Sequence, residues 1–143
     1  MMQAKPRTVL LDSDVFIGLF VKTDAHHGRV QQLLTAFAQT HSTQITTTNL
    51  VVTETATMLS RRHYQEVACR FLRYLRTADF AIVHITPELQ RAAEDLFLSI
   101  HTENVSVVDC ANVAAVQAGK SDALFSFDRF YSRFPLHLIG GNN

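Results

Sequence analysis

The chain predicts a single α/β domain with an open, mainly parallel sheet flanked by helices. Short runs rich in β-branched and aromatic residues, bounded by polar ones, read as strands. Stretches with helical apolar spacing separate those runs, and strand–helix alternation favours parallel pairing with covering helices. At 143 residues, with no Pro/Gly-rich seam, one domain spans 1–143 and is long enough to bury a core.

Residues 1–7 read as a short N-terminal tail, and "TVLLD" is the first strand, followed by a turn into a first helix. "HGRVQQLLTAFAQT" sets Val30, Leu33, Leu34 and Phe37 on one helical stripe. "QITTT" is the second strand, and the helix "LVVTETATMLSRR" closes on two arginines that suit its negative end. In "YQEVACRFLRYLRT", Val67, Phe71 and Leu75 fall at i, i+4 and i+8, with Arg70, Arg73 and Arg76 on an adjoining face. "FAIVHI" is a third strand. The next helix starts with Thr86 as N-cap and Pro87 and Glu88 in the first two positions. "SVVDCANVAAVQAGK" pairs Ser106 with Asp109 as in a capping arrangement, and Gly119 occupies the C′ position. "DALFSF" is the last predicted strand, "DRFYSRF" a short helix, and 140–143 a frayed end.

Thirteen basic and thirteen acidic side chains cancel, so no global field draws the protein to nucleic acid or a membrane; any such site is a local patch. Cys69 and Cys110 lack metal-type spacing and are too few for a disulfide framework. With no signal-like or membrane-length apolar run, a cytoplasmic soluble protein with no membrane partner is the expectation.

In open α/β sheets ligands bind beyond the carboxyl ends of the strands. Asp12 ends the first strand, Asp14 follows in the turn, Glu54 lies early in the helix after the second strand, Asp109 in the first turn after "ENVS", and Asp128 just past "DALFSF". Acids far apart in sequence thus fall at one sheet edge. Carboxylates crowded without cationic partners repel one another, and a hard divalent cation relieves this. Oxygen-only ligands favour Mg²⁺ or Mn²⁺, which serve phosphate chemistry.

The motifs "VLLDSDVFIGLF", "TTNLVVTETATML", "VSVVDCANVAAVQAG" and "DALFSFDRF", in this order, resemble those of the PIN-domain family, and the length resembles its free-standing VapC-like ribonuclease toxins. The resemblance covers nearly the whole chain. It implies a catalytic, metal-holding set of Asp12, Glu54, Asp109 and Asp128, with Ser126 at the family's Thr/Ser position. Asp14 stands where the family often has Asn or Ser. It further implies Mg²⁺ or Mn²⁺, hydrolysis of an RNA phosphodiester, a homodimer, and an antitoxin partner covering the acidic groove. The apolar content, about half by count, agrees with a dimer.

Each residue also has a plainer reading. Asp109 and Asp128 could cap helices, Asp12 could bond loop amides, and Glu54 could pair with an arginine. Asp122, at the remote end of its strand, reads as structural. His26 and His27, being adjacent, do not face one way on a helix and read as surface or helix-start residues. Arg61, Arg62, Arg70, Arg73 and Arg76 read equally as an RNA track or a solvated face. Arg129 and Arg133, beside Asp128, are the candidates for phosphate contact. Phe127, Phe130, Tyr131 and Phe134 offer base-stacking surfaces, with Phe127 and Phe130 better placed in the core. Two other functions compete. A HAD-type phosphatase would use Asp12 as nucleophile and Asp14 as general acid, but Lys120 is the only lysine after Lys22 and stands at a helix end with no acidic pair. A catalytically inactive PIN-like module binding RNA or protein would not need all four acids.

Overall fold

A computed structural model describes residues 5–40, 42–78 and 80–141. Met1–Ala4 of the tail and Asn142 and Asn143 of the expected frayed end lie outside them. Five strands, β1 (Thr8–Leu11), β2 (Gln44–Thr48), β3 (Ala81–Val83), β4 (Ala123–Phe125) and β5 (His137–Ile139), form one sheet in the order β3-β2-β1-β4-β5. All four pairings are parallel, with Val9 opposite both Ile45 and Ala123. Six helices cover it: α1 (Ser13–Phe20), α2 (His27–Thr40), α3 (Asn49–Arg62), α4 (Gln65–Thr77), α5 (Pro87–Ser99) and α6 (Val107–Gln117). The sheet is wholly parallel where the sequence predicts a mainly parallel one.

Alternation along β1 divides the core. Val9 and Leu11 face α1–α4 with Val15, Phe16, Val51, Leu59 and Phe71, while Leu10 faces α5 and α6 with Ala93, Ala111, Val113 and Leu124. Both faces are therefore dry, as expected of a sheet built from crossovers. The threonines of β2 are buried without cost to hydrogen bonding: Thr46 and Thr47 donate to the carbonyls of Val9 and Leu11, and Thr48 caps α3 by accepting from the Val51 amide. Thr86 caps α5 through the Leu89 amide, with Pro87 in the first turn.

Two expected strands are shorter than their sequence runs, and one was not expected at all. "FAIVHI" pairs only over Ala81–Val83, and "DALFSF" only over Ala123–Phe125, with the Ser126 amide making one further bond to the Ile139 carbonyl. β5 pairs with β4 at the sheet edge. Asp122 accepts from the amides of Arg7 and Thr8 and ties the start of β1 to that of β4, the structural role expected of it. Past β5, Gly140 has φ 90° and lies so close to the Phe125 ring that a Cβ would come within 2.8 Å of its Cε1. Among the described residues no helix is long and apolar enough to cross a membrane.

Candidate active site

The carboxyl ends of β1 and β4 carry the site. The Asp12 amide donates to the Phe125 carbonyl at 3.0 Å, extending the β1–β4 ladder by one residue and setting Asp12 beside Ser126. Asp12 is 3% exposed, and both its oxygens are filled. Oδ1 accepts from the Ser13 amide (2.8 Å) and Asn112 Nδ2 (3.1 Å), Oδ2 from Ser126 Oγ (2.9 Å) and Tyr131 Oη (2.9 Å). Four donors match the lone-pair capacity of one carboxylate, so Asp12 is locked in place.

Asp14, in the first turn of α1, accepts from the Phe127 amide at 2.9 Å and lies 3.2 Å from Ser126 Oγ. That hydroxyl has one proton, which Asp12 takes, and it also accepts from the Asp128 amide at 3.1 Å. Its contact with Asp14 is satisfied only when Asp14 itself is protonated and donates. Asp109 forms a reciprocal capping box with Ser106 at the start of α6 and lies 3.2 Å from Tyr131 Oη through Oδ1. Asp128 is exposed and caps the 3₁₀ turn Arg129–Arg133 through the Phe130 amide. Glu54 projects from the second turn of α3 toward Ser13, Asp12 and Asp109.

The two readings weighed from sequence are thus not exclusive: Asp12, Asp109 and Asp128 cap, and they also converge. Their convergence is visible in their acidities. Burial, then repulsion from Asp109, pushes Asp12 up to about 6; burial, then Asp12, pushes Asp14 up to about 7. Burial raises Glu54 to about 7 against a hydrogen bond from Ser13, with Asp12 and Asp109 adding repulsion. Asp109 is raised by burial and by Asp128. The neighbouring charges that raise these four groups are other carboxylates of the cluster.

That donor set, all oxygen and electrostatically unrelieved, fits a hard divalent cation. Among the described residues, however, no three His, Cys, Asp or Glu side chains are set to hold an ion as they stand, because the carboxylates turn onto neighbouring amides and hydroxyls. Asp109, Asp128 and Glu54 retain unfilled lone pairs.

Other candidates fall differently. Arg129 is exposed beside Asp128, but Arg133 is folded back: Nε donates to the Phe130 carbonyl, Nη1 to Thr102 Oγ1, and the guanidinium sits 4.9 Å over the Phe130 ring. Phe130 and Tyr131 are buried and offer no stacking surface. His26 stacks flat on Phe127 with 3.9 Å between ring centroids, and His27 Nδ1 donates to the Gly18 carbonyl at the start of α2. The five arginines of α3 and α4 are exposed. Sequence reasoning missed Asn112, and it misplaced Tyr131. The signal for Asn112 was a polar residue inside the apolar run "CANVAAV", one turn after Asp109.

The family model described as the PIN domain matches residues 9–135, which includes every one of these acids. The chain belongs to the PIN-domain family. No curated protein matches it in sequence. Among solved structures, the sarcin–ricin loop cleaving toxin VapC20 of Mycobacterium tuberculosis is similar, with TM-score 0.80 at 20% identity, covering 92% of this chain and 97% of that one. VapBC2 from Rickettsia felis, solved with a promoter DNA fragment, has TM-score 0.66 at 14% identity over 92% and 97% of the two chains. A toxin–antitoxin complex from Klebsiella pneumoniae has TM-score 0.63 at 15% identity over 92% and 95%. At these identities the likeness is one of fold. Membership in the PIN family leaves the phosphatase alternative without support.

Proposed function

We propose that this PIN-domain protein is a Mg²⁺- or Mn²⁺-dependent endoribonuclease of the VapC type, the toxin of a toxin–antitoxin pair. The observation that carries the reading is the cluster itself: Asp12, Glu54, Asp109 and Asp128 converge at one sheet edge, and acids far apart in sequence raise one another's pKa values with no cation among them. A divalent ion held there lowers the pKa of water and offsets the charge that builds on a phosphate during hydrolysis.

The chain's own residues divide the work by rigidity. Asp12 is the fixed member, held by backbone, amide and hydroxyl donors. Ser126 supports Asp12 and Asp14 from behind and fixes the amide of Asp128. Asp109, Asp128 and Glu54 turn an oxygen inward to complete the ligand set, directly or through water. Arg129, exposed next to Asp128, meets an RNA phosphate flanking the cut; Arg133 holds the turn on which both stand.

The Rickettsia and Klebsiella neighbours were solved as toxin–antitoxin assemblies, which supports an antitoxin partner; the reading places a segment of it over the acidic groove. The reading includes a homodimer acting in the cytoplasm, for which exposed Tyr64, Leu72 and Tyr74, before and along α4, offer apolar surface. Pure protein incubated with RNA under Mg²⁺, Mn²⁺ or EDTA tests the reading, with p-nitrophenyl phosphate as a second substrate. Metal-dependent RNA cleavage with an intact phosphate monoester is expected; no cleavage of RNA under either ion would overturn it.

A further inference from the structure

We infer that Tyr131, oriented by Asn112, is a positioning residue that holds Asp12 and Asp109 side by side at the cleft, and so sets the affinity of the site for a divalent ion. The inference rests on the reading of the cluster as a metal site. Tyr131 stands on the 3₁₀ turn after β4 and is fully buried. Its hydroxyl has three partners: Asn112 Nδ2 at 3.0 Å, Asp12 Oδ2 at 2.9 Å and Asp109 Oδ1 at 3.2 Å. The asparagine amide donates, so the single phenolic proton is left for the carboxylates, one proton between two acceptors.

Asn112 is fixed in turn. One N–H goes to Asp12 Oδ1 and the other to Tyr131 Oη. A flipped amide would set its oxygen against a carboxylate. In the orientation it keeps, Asn112 Oδ1 is buried with no partner, a penalty that native interiors rarely accept without a functional reason. Packing does not require the pair. The Tyr131 ring sits edge-on to Phe130 at 5.2 Å, a contact that a phenylalanine would keep, and a hydroxyl and amide buried against two carboxylates are more expensive than apolar groups of similar volume. What the pair does is join β1 and α6, the elements carrying Asp12 and Asp109, through one neutral donor. It softens their repulsion without a competing positive charge, and it leaves the other Asp109 lone pairs and the remaining ligands free to meet an ion.

Mn²⁺ binding to purified wild type and Tyr131→Phe, followed by the EPR signal of free Mn²⁺ and by calorimetry, tests this. Melts in EDTA establish that both are folded. The expected result is a rise in Mn²⁺ Kd of about tenfold or more, the usual effect of removing a partner that orients a metal ligand. RNA cleavage should recover to within a few-fold of wild type at saturating Mn²⁺. Asn112→Ser, which removes both N–H donors, should move the Kd in the same direction and serves if the first variant does not fold. A lowered melting temperature with unchanged Mn²⁺ Kd would make the pair merely structural and overturn the inference. Wild type that binds no Mn²⁺ would instead overturn the metal-site reading, and the inference with it.

Discussion

Asp14→Asn tests the electrostatics of the cluster with little geometric disturbance. The new amide keeps its oxygen as the acceptor for the Phe127 N–H and sets its nitrogen in the place of Oδ1, 3.4 Å from Ser126 Oγ, as the donor that the ionised carboxylate lacks, so it mimics protonated Asp14. Burial and Asp12 raise this group from 3.8 to about 7. The sign follows: the folded protein keeps a proton that the unfolded chain has lost, so stability is fully present below about pH 4 and is lost as pH rises toward about 7. Between pH 5 and 8 the loss runs over about two units at roughly 1.4 kcal/mol each, a ceiling of roughly 3 kcal/mol. Interaction with Asp12 and partial solvent screening reduce this to about 1.5 kcal/mol. For a chain of this size that is a shift of about 5 °C. Thermal melts in EDTA should show the variant's advantage over wild type growing by about 5 °C between pH 5 and pH 8. A variant that melts below wild type at pH 8, or by the same offset at both pH values, would refute the crowding argument.

Gly140→Ala should lower the melting temperature by an amount corresponding to about 1–3 kcal/mol, because φ 90° is strained for alanine and the new methyl meets the Phe125 ring; unchanged melting would show that the chain end moves freely off the sheet. Light scattering of the purified chain at micromolar concentration should give twice the monomer mass; a monomer would remove the homodimer from the account.

How far the sequence reveals this protein differs by element. β1 and β2 were legible because each is a short run rich in β-branched residues bounded by polar ones, and the Ser106–Asp109 box because capping chemistry is local too. The acids were placed at one edge by a topological rule, since Asp12, Glu54, Asp109 and Asp128 each follow a strand or begin a helix at the same end of the sheet. β5 carries no such pattern: three residues pair on one side only, and the pairing, not the residue types, makes them a strand. Asn112 and Tyr131 were hidden because their partners lie 100 and 119 residues away from them at Asp12. The fold-back of Arg133 onto Phe130 and Thr102 was hidden for the same reason. The capping and metal readings of the aspartates looked like alternatives in sequence. In three dimensions the same side chains cap and crowd together.

The most direct test is the rate of RNA cleavage by Asp109→Asn relative to wild type at saturating Mn²⁺, with melts in EDTA showing both proteins folded. The substitution keeps the shape and an acceptor for Ser106 while removing a charge that the ion requires. A loss of roughly 100-fold or more is predicted, on the order expected when a metal site loses a ligand charge. Cleavage at the wild-type rate would contradict the claim that these carboxylates form a metal-dependent nuclease site.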